Sequence, residues 1–188
     1  MHTDASKMGD ELIVAGSFQR PTTDRLLLCG SLHVVLTGPD GEIKYDETFA
    51  NVITQVGEQM YGERGAGITT LATPTGMALG TGTTAVAKTG AGAALVTGQS
   101  GSAQAFDGSF PTSSIPGTVR RIQYKVTYAA GTATANGLAE VVVQNGTATV
   151  VPTNAATTNV ISRALLSPVV NKGASDTLAI TWNHDIGT

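Results

Sequence analysis

The sequence predicts a mainly β protein: an antiparallel β-sandwich or jelly-roll-like domain with one short helix and long Gly/Ala/Thr-rich loops. Three observations carry that prediction. Apolar residues alternate with period two over several separate runs, turn-forming Gly, Pro and Asn residues punctuate those runs, and a single window changes to helical spacing. Strict alternation also argues against a parallel sheet covered on both faces, whose strands read as continuous apolar runs.

Taken in order, residues Met1–Arg20 have no clear periodicity and read as an arm, loose or laid against a neighbour. The division that follows is an arm over 1–24 and a single domain over 25–188, with a long loop at about 86–118. Arg25–Thr37 is an apolar strand whose core face is Leu26, Leu28, Leu32, Val34 and Leu36. Gly38-Pro39-Asp40-Gly41 turns the chain, and Glu42–Ala50 alternates again, completing a hairpin. Asn51–Arg64 changes period: Val52, Ile53, Val56, Met60 and Tyr61 share a helical face, and Gly57 weakens its middle.

From Gly65 to Gly117 the chain is mostly Gly, Ala, Thr and Ser, with Met77-Ala78-Leu79-Gly80 as one short strand. Thr89–Ser114 has too few large side chains to fold by itself, and a loop of that length is expected to be functional or ordered by a partner. Strands return at Arg120–Tyr128, Leu138–Gln144, Asn159–Leu166 and Asp176–Asn183. Their inward residues are Ile122, Tyr124, Val126 and Tyr128; Ala139, Val141 and Val143; and Leu178, Ile180 and Trp182. Asn136-Gly137 and Asn145-Gly146 read as turns, and Ser167-Pro168 and Lys172-Gly173 as chain breaks. The total is about seven strands and one helix.

Composition excludes several functions. A domain of this length buries roughly 70% of its unfolded surface, so it needs neither metal nor disulfide, and the single Cys29 forms no internal bridge. Nothing near Met1 has the form of a secretion signal, and no window approaches the apolar run of about 18 residues that spans a membrane. The expectation is a soluble cytoplasmic product. Eleven Lys and Arg against fourteen Asp and Glu give a net charge of −3, with no basic cluster to follow a nucleic acid. Charged residues are 13% of the chain, about half the usual share. A surface so poor in charge favours association, and an assembly accommodates it.

No catalytic constellation emerges. Cys29 and His33 share a strand face, but four residues of strand rise separate them by about 13 Å, so a small Cys and a satisfied His explain them better than a nucleophile and base. His2 and His184 have no acidic or thiol companions at ligand spacing and are expected in solvent. Gly80-Thr81-Gly82-Thr83-Thr84-Ala85 imitates a dinucleotide fingerprint, but Ala91-Gly92 interrupts any following helix and the required acid is missing; a close backbone corner is the better reading. Asp40 and Glu42 belong to a turn, and Asp46 and Glu47 lie on opposite strand faces, so no carboxylate pair forms. Arg120, Arg121 and Lys125 read as a solvated sheet face. No catalytic, metal or cofactor residue is therefore expected, and the protein is not expected to be an enzyme.

Residues 50–186 resemble a family of small virion proteins of tailed bacteriophages. The resemblance rests on four segments in fixed order: NVITQVG at Asn51–Gly57, MALGTGTT at Met77–Thr84, YKVTYAAGTATANGLAEVVVQ at Tyr124–Gln144, and ISRALLSPVVNKGASDTLAITW at Ile161–Trp182. The hairpin Arg25–Ala50 and the long loop Ala91–Pro116 depart from the family's pattern. The resemblance implies a tail-associated or capsid-surface structural protein without catalytic or cofactor residues. The leading expectation is a capsid decoration or cement protein acting as a homo-oligomer, a trimer by preference, against the major capsid protein. A tail, baseplate or fibre-adaptor component is the alternative. A receptor- or carbohydrate-binding module comes third, because aromatics are only 5% and Trp182, Tyr124 and Tyr128 are placed in the core. Met1–Arg20 and Ala91–Pro116 are the expected contact segments, each removable without unfolding the rest.

Overall fold

The computed structural model describes residues 27–145 and 159–187. The expected arm Met1–Arg20, together with His2 and Gly146, lies outside them. Within the described residues the protein is mainly β, built from two five-stranded sheets whose neighbouring strands are all antiparallel. The chain forms β1 (Leu27–Thr37), β2 (Ile43–Ala50), β3 (Val52–Ile53), α1 (Gln55–Gly65), β4 (Gly76–Gly80), β5 (Gln104–Ala105), β6 (Thr112–Ser114), β7 (Arg120–Tyr128), β8 (Ala135–Gln144), β9 (Val160–Lys172) and β10 (Thr177–Gly187). One sheet runs β2-β1-β10-β7-β6 and the other β3-β9-β8-β4-β5. All seven strands read from the alternation are present. The three added ones, β3, β5 and β6, are two or three residues long and carry no readable period.

The sandwich closes on one apolar core. Leu32, Val34 and Leu36 of β1, Tyr124, Val126 and Tyr128 of β7, and Leu178, Ile180 and Trp182 of β10 face Met77 and Leu79 of β4, Val141 and Val143 of β8, and Ile161 and Ala164 of β9. Full burial of each such side chain contributes about 1.5–3 kcal/mol, which is why the period-two faces locate these strands so well. The β1–β2 turn is closed by Gly38 N–H donating to Glu42 O at 2.9 Å. Gly41 there has φ +82°, a conformation that glycine adopts without strain.

The helix is shorter at its start than its apolar face suggests. Val52 and Ile53 pair with Arg163 and Ser162 as β3, and the helix begins only after Thr54. The Thr54 hydroxyl explains the boundary. It accepts from Gly57 N–H as an N-cap and donates to Val160 O, tying the helix start to β9. Gly57 proves to be a packing requirement: a Cβ there would lie 2.2 Å from Ile161 O. Alanine, normally the better helix former, has no room at this position.

The expected chain break at Ser167-Pro168 and the expected turn at Asn136-Gly137 are in fact bulges, whereas Lys172-Gly173 does end β9. Leu138 pairs with Val170 and Glu140 with Leu165, so β9 carries extra residues between Leu165 and Val170 while β8 advances by two. Pro168, which lacks an N–H, sits in that bulge, and its carbonyl accepts from the Tyr45 hydroxyl at 2.7 Å. Gly137, at φ +74°, lies inside β8, where its N–H donates to Asn171 Oδ1 at 2.8 Å. At the β9–β10 turn the buried Lys172 ammonium donates to Ala129 O and Asp176 O at 3.0 and 2.6 Å. Burial pulls its pKa below the usual lysine range.

Candidate functional site: a carboxylate clamp, a buried polar network and an open groove

The second sheet is covered on its outer face, which its alternation does not suggest. Glu140 and Val142 point away from the main core yet are fully buried. Leu95, from the Gly/Ala/Thr-rich stretch, packs there on Ala78, Val142 and Val160. The glycine corner and this stretch are fastened by a buried ion pair. Arg163 Nε and Nη2 donate to Glu140 Oε2 at 3.0 and 2.8 Å, with both side chains at 0% exposure. The remaining Arg163 donor reaches Thr84 O and Gly92 O at 2.8 and 3.2 Å. The carboxylate also accepts from the backbone N–H groups of Gly82, Val96 and Thr97, at 3.0, 3.1 and 2.7 Å.

A charge pair this deep is held by seven hydrogen bonds, four donated by Arg163 and three backbone N–H groups donating to Glu140. The close-corner reading of Gly80–Ala85 is supported: a Cβ on Gly82 would lie 2.4 Å from Glu140 Oε1, and one on Gly80 would lie 2.4 Å from Thr97 O. The anion at this corner is a side chain of the protein itself. Thr89–Ser114 is thus packed on the sheet beneath it through Gly92, Ala93, Leu95 and Ser102, and these contacts argue against the expectation that Ala91–Pro116 is removable. The signal in the sequence was a lone Glu in one apolar strand and a lone Arg in the next.

His184 is the clearest correction. It was expected in solvent and is fully buried. Its period-two phase with Trp182 and Ile180 points it inward, and no opposite charge was needed to place it there. Tyr61 Oη lies 2.7 Å from His184 Nδ1 and 2.9 Å from Tyr124 Oη, while Asn51 Nδ2 lies 3.4 Å from His184 Nε2 and also bonds to Ser162 Oγ. One tautomer satisfies the row: Asn51 donates to Nε2, Nδ1–H donates to Tyr61, and Tyr61 donates to Tyr124. Burial lowers the His184 pKa to about 3, opposed by the Asp185 charge, and raises those of Tyr61 and Tyr124.

Stability then depends on pH in a definite direction. The unfolded histidine binds a proton near pH 6.5 and the folded one does not until about pH 3. The folded state therefore loses stability as pH falls through that window, by up to about 1.4 kcal/mol per pH unit. Urea unfolding between pH 7 and pH 4.5 is expected to show that slope, and His184→Gln to flatten it.

Above this network the described residues leave the sandwich end open. Two adjoining hollows of about 440 and 340 Å³ meet at Leu28, Glu58 and Lys88. The larger is walled by Leu27, Tyr61 and Ile186, the smaller by Cys29, Gly30 and Asn51–Ile53. Lys88 is already engaged by Glu58 at the shared wall.

The other candidates are accounted for locally. His33 Nε2 is 2.6 Å from Asp46 Oδ1 across the β1–β2 pair, while Cys29 Sγ faces Asp185 O, so the two do not form a nucleophile and base. Cys29 is exposed rather than part of an apolar face. Within the expected positive face, Arg121 makes a two-pronged bridge to Asp185, both contacts at 2.7 Å, which answers its own charge. Among the described residues no group of three His, Cys, Asp or Glu side chains is placed to hold a metal ion. None of the described helices is long and apolar enough to cross a membrane. Comparisons with protein-family models, curated proteins and solved structures find no match. Fold and local chemistry therefore define the class: an antiparallel β-sandwich whose buried polar groups fasten its own loops.

Proposed function

We propose that this protein is a structural component of a tailed-bacteriophage virion, a capsid decoration protein that binds the shell and stabilises it through contact area. The observation that carries this reading is the use made of buried polarity. The seven hydrogen bonds of the Glu140–Arg163 clamp all come from the protein's own backbone and side chains. His184, held neutral down to about pH 3, is a poor general base near neutrality. Such investment suits a rigid block. The charge-poor composition suits one that works against other proteins. The partner in this reading is the major capsid protein, with the chain itself as a homo-oligomer, a trimer by preference, and with neither nucleic acid nor membrane engaged.

The test is the copy number of this chain in purified particles relative to the major capsid protein. Comparable numbers are expected. A few copies per particle would transfer the protein to the tail or its adaptors, and absence from particles would overturn the structural reading.

A further inference from the structure

α1 is a weak helix held at one buried polar point. Three of its eleven residues, Gly57, Gly62 and Gly65, are glycines, the poorest helix formers after proline. A helix of that length depends on what it packs against. Of its own residues only Gly57 and Met60 are buried. Beyond the Thr54 cap, its side-chain bonds to neighbouring segments run mostly over the exposed surface: Glu58 to Lys88, Glu63 to Thr70 and Arg64 to Leu71 O. Tyr61 is different. Among the described residues it is the α1 side chain hydrogen-bonded to the sheets, through His184 of β10 and Tyr124 of β7.

That point admits one arrangement of protons. Ser162 Oγ donates to Val52 O, so it accepts from Asn51 Nδ2, and the same amide nitrogen faces His184 Nε2. Nε2 therefore carries the lone pair, and Nδ1 carries the proton donated to Tyr61. A second proton on the ring would sit on Nε2, against an N–H donor. Turning the Asn51 amide over to receive it would break the bond to Ser162. The remaining surroundings offer no compensation. Gly30 of β1 and Ile122 of β7 flank His184 in the sheet, and the Trp182 and Tyr124 rings pack against it. The adjacent carboxylate of Asp185 is engaged by Arg121. With α1 in place the ring refuses the proton. With α1 away, water reaches the ring where Tyr61 had been, and the proton is accepted. Proton uptake and helix release are thereby linked.

We propose that α1 is an acid-released latch: it leaves the sandwich end as a unit while both sheets stay folded, and a proton on His184 holds it off. Release draws Met60 out of the core, so the acid form presents an apolar end that the neutral form keeps closed. The latch rests on the His184 network and is independent of any role in a virion.

Amide exchange on the full chain tests it. At pH 7 the α1 amides from Met60 to Arg64 are expected to open at least about tenfold more often than those along the β7–β10 pair. Between pH 7 and pH 5, above the ordinary range of carboxylates, the α1 opening constant should rise about 25-fold after correction for the intrinsic rate, as a histidine of ordinary affinity in the open form requires. His184→Gln should remove the rise. The chain has two other histidines, and replacing both, His2→Gln with His33→Gln, should preserve it. That double variant assigns the rise to His184 even where His184→Gln fails to fold. If the α1 amides share the opening constant of the β7–β10 pair, the helix leaves only with the whole fold and the proposal is overturned. An opening constant that does not change with pH overturns it equally, as does a rise that survives His184→Gln or is lost with His2 and His33.

Discussion

Replacing Glu140 by methionine is expected to destabilise the protein by about 3–5 kcal/mol, read from the urea midpoint at pH 7. The variant leaves the Arg163 charge fully buried, with only Thr84 O and Gly92 O as partners. It also orphans the N–H groups of Gly82, Val96 and Thr97. Arg163→Met is expected to cost less, because the carboxylate keeps those three backbone donors. The pair replaced together, Glu140→Met with Arg163→Met, removes the buried charges but still strands the three N–H groups, each costing about 1–3 kcal/mol. The double variant should therefore remain well below the wild type, unlike a buried ion pair that answers only itself. A double variant as stable as the wild type would show that the carboxylate's backbone contacts contribute nothing.

Excising residues 91–116 is expected to abolish cooperative unfolding, measured by circular dichroism in urea. The excision removes Leu95 from Ala78, Val142 and Val160, two of the three backbone donors to Glu140, one acceptor of Arg163, and Ser102, whose hydroxyl bridges Leu79 N–H and O at 3.0 and 2.9 Å. Leu95→Ala alone should cost about 2–5 kcal/mol. Ile115, in the same loop but 60% exposed, contrasts sharply. Ile115→Ser is expected to stay within about 0.5 kcal/mol of the wild type, so loss of particle binding by that variant would report contact and not folding. A normally folded excision variant would mean that the second sheet stands without its cover.

Much of the fold was legible in the residues because the main core is built from faces that repeat every second position. Leu32, Val34 and Leu36, or Leu178, Ile180 and Trp182, announce their strands without reference to anything distant. What escaped was non-local. Val52 and Ile53 fit a helical face by spacing, and only their pairing with Arg163 and Ser162 of β9 makes them a strand, with Thr54 fixing where the helix starts. Pro168 signals a break unless the partner strand can absorb a bulge beside it. His184 carries the same local pattern whether it meets water or Tyr61, and the partner lies 123 positions away. The Gly/Ala/Thr-rich stretch looked unable to fold because its order comes from two charged side chains on strands that follow it in the chain.

The clamp also bears on how quickly this protein reaches its native state. Glu140 draws in backbone 58, 44 and 43 positions earlier, and Arg163 reaches carbonyls 79 and 71 positions earlier. The full set of those contacts needs β8 and β9 paired, with both charges placed side by side. The loop-closure entropy of each connection must be met before any of them is rewarded, which puts the chain among slow folders dominated by distant contacts. The central strands should thus form first, and the glycine corner and its loop should dock last, as a lid settling on an already assembled sheet.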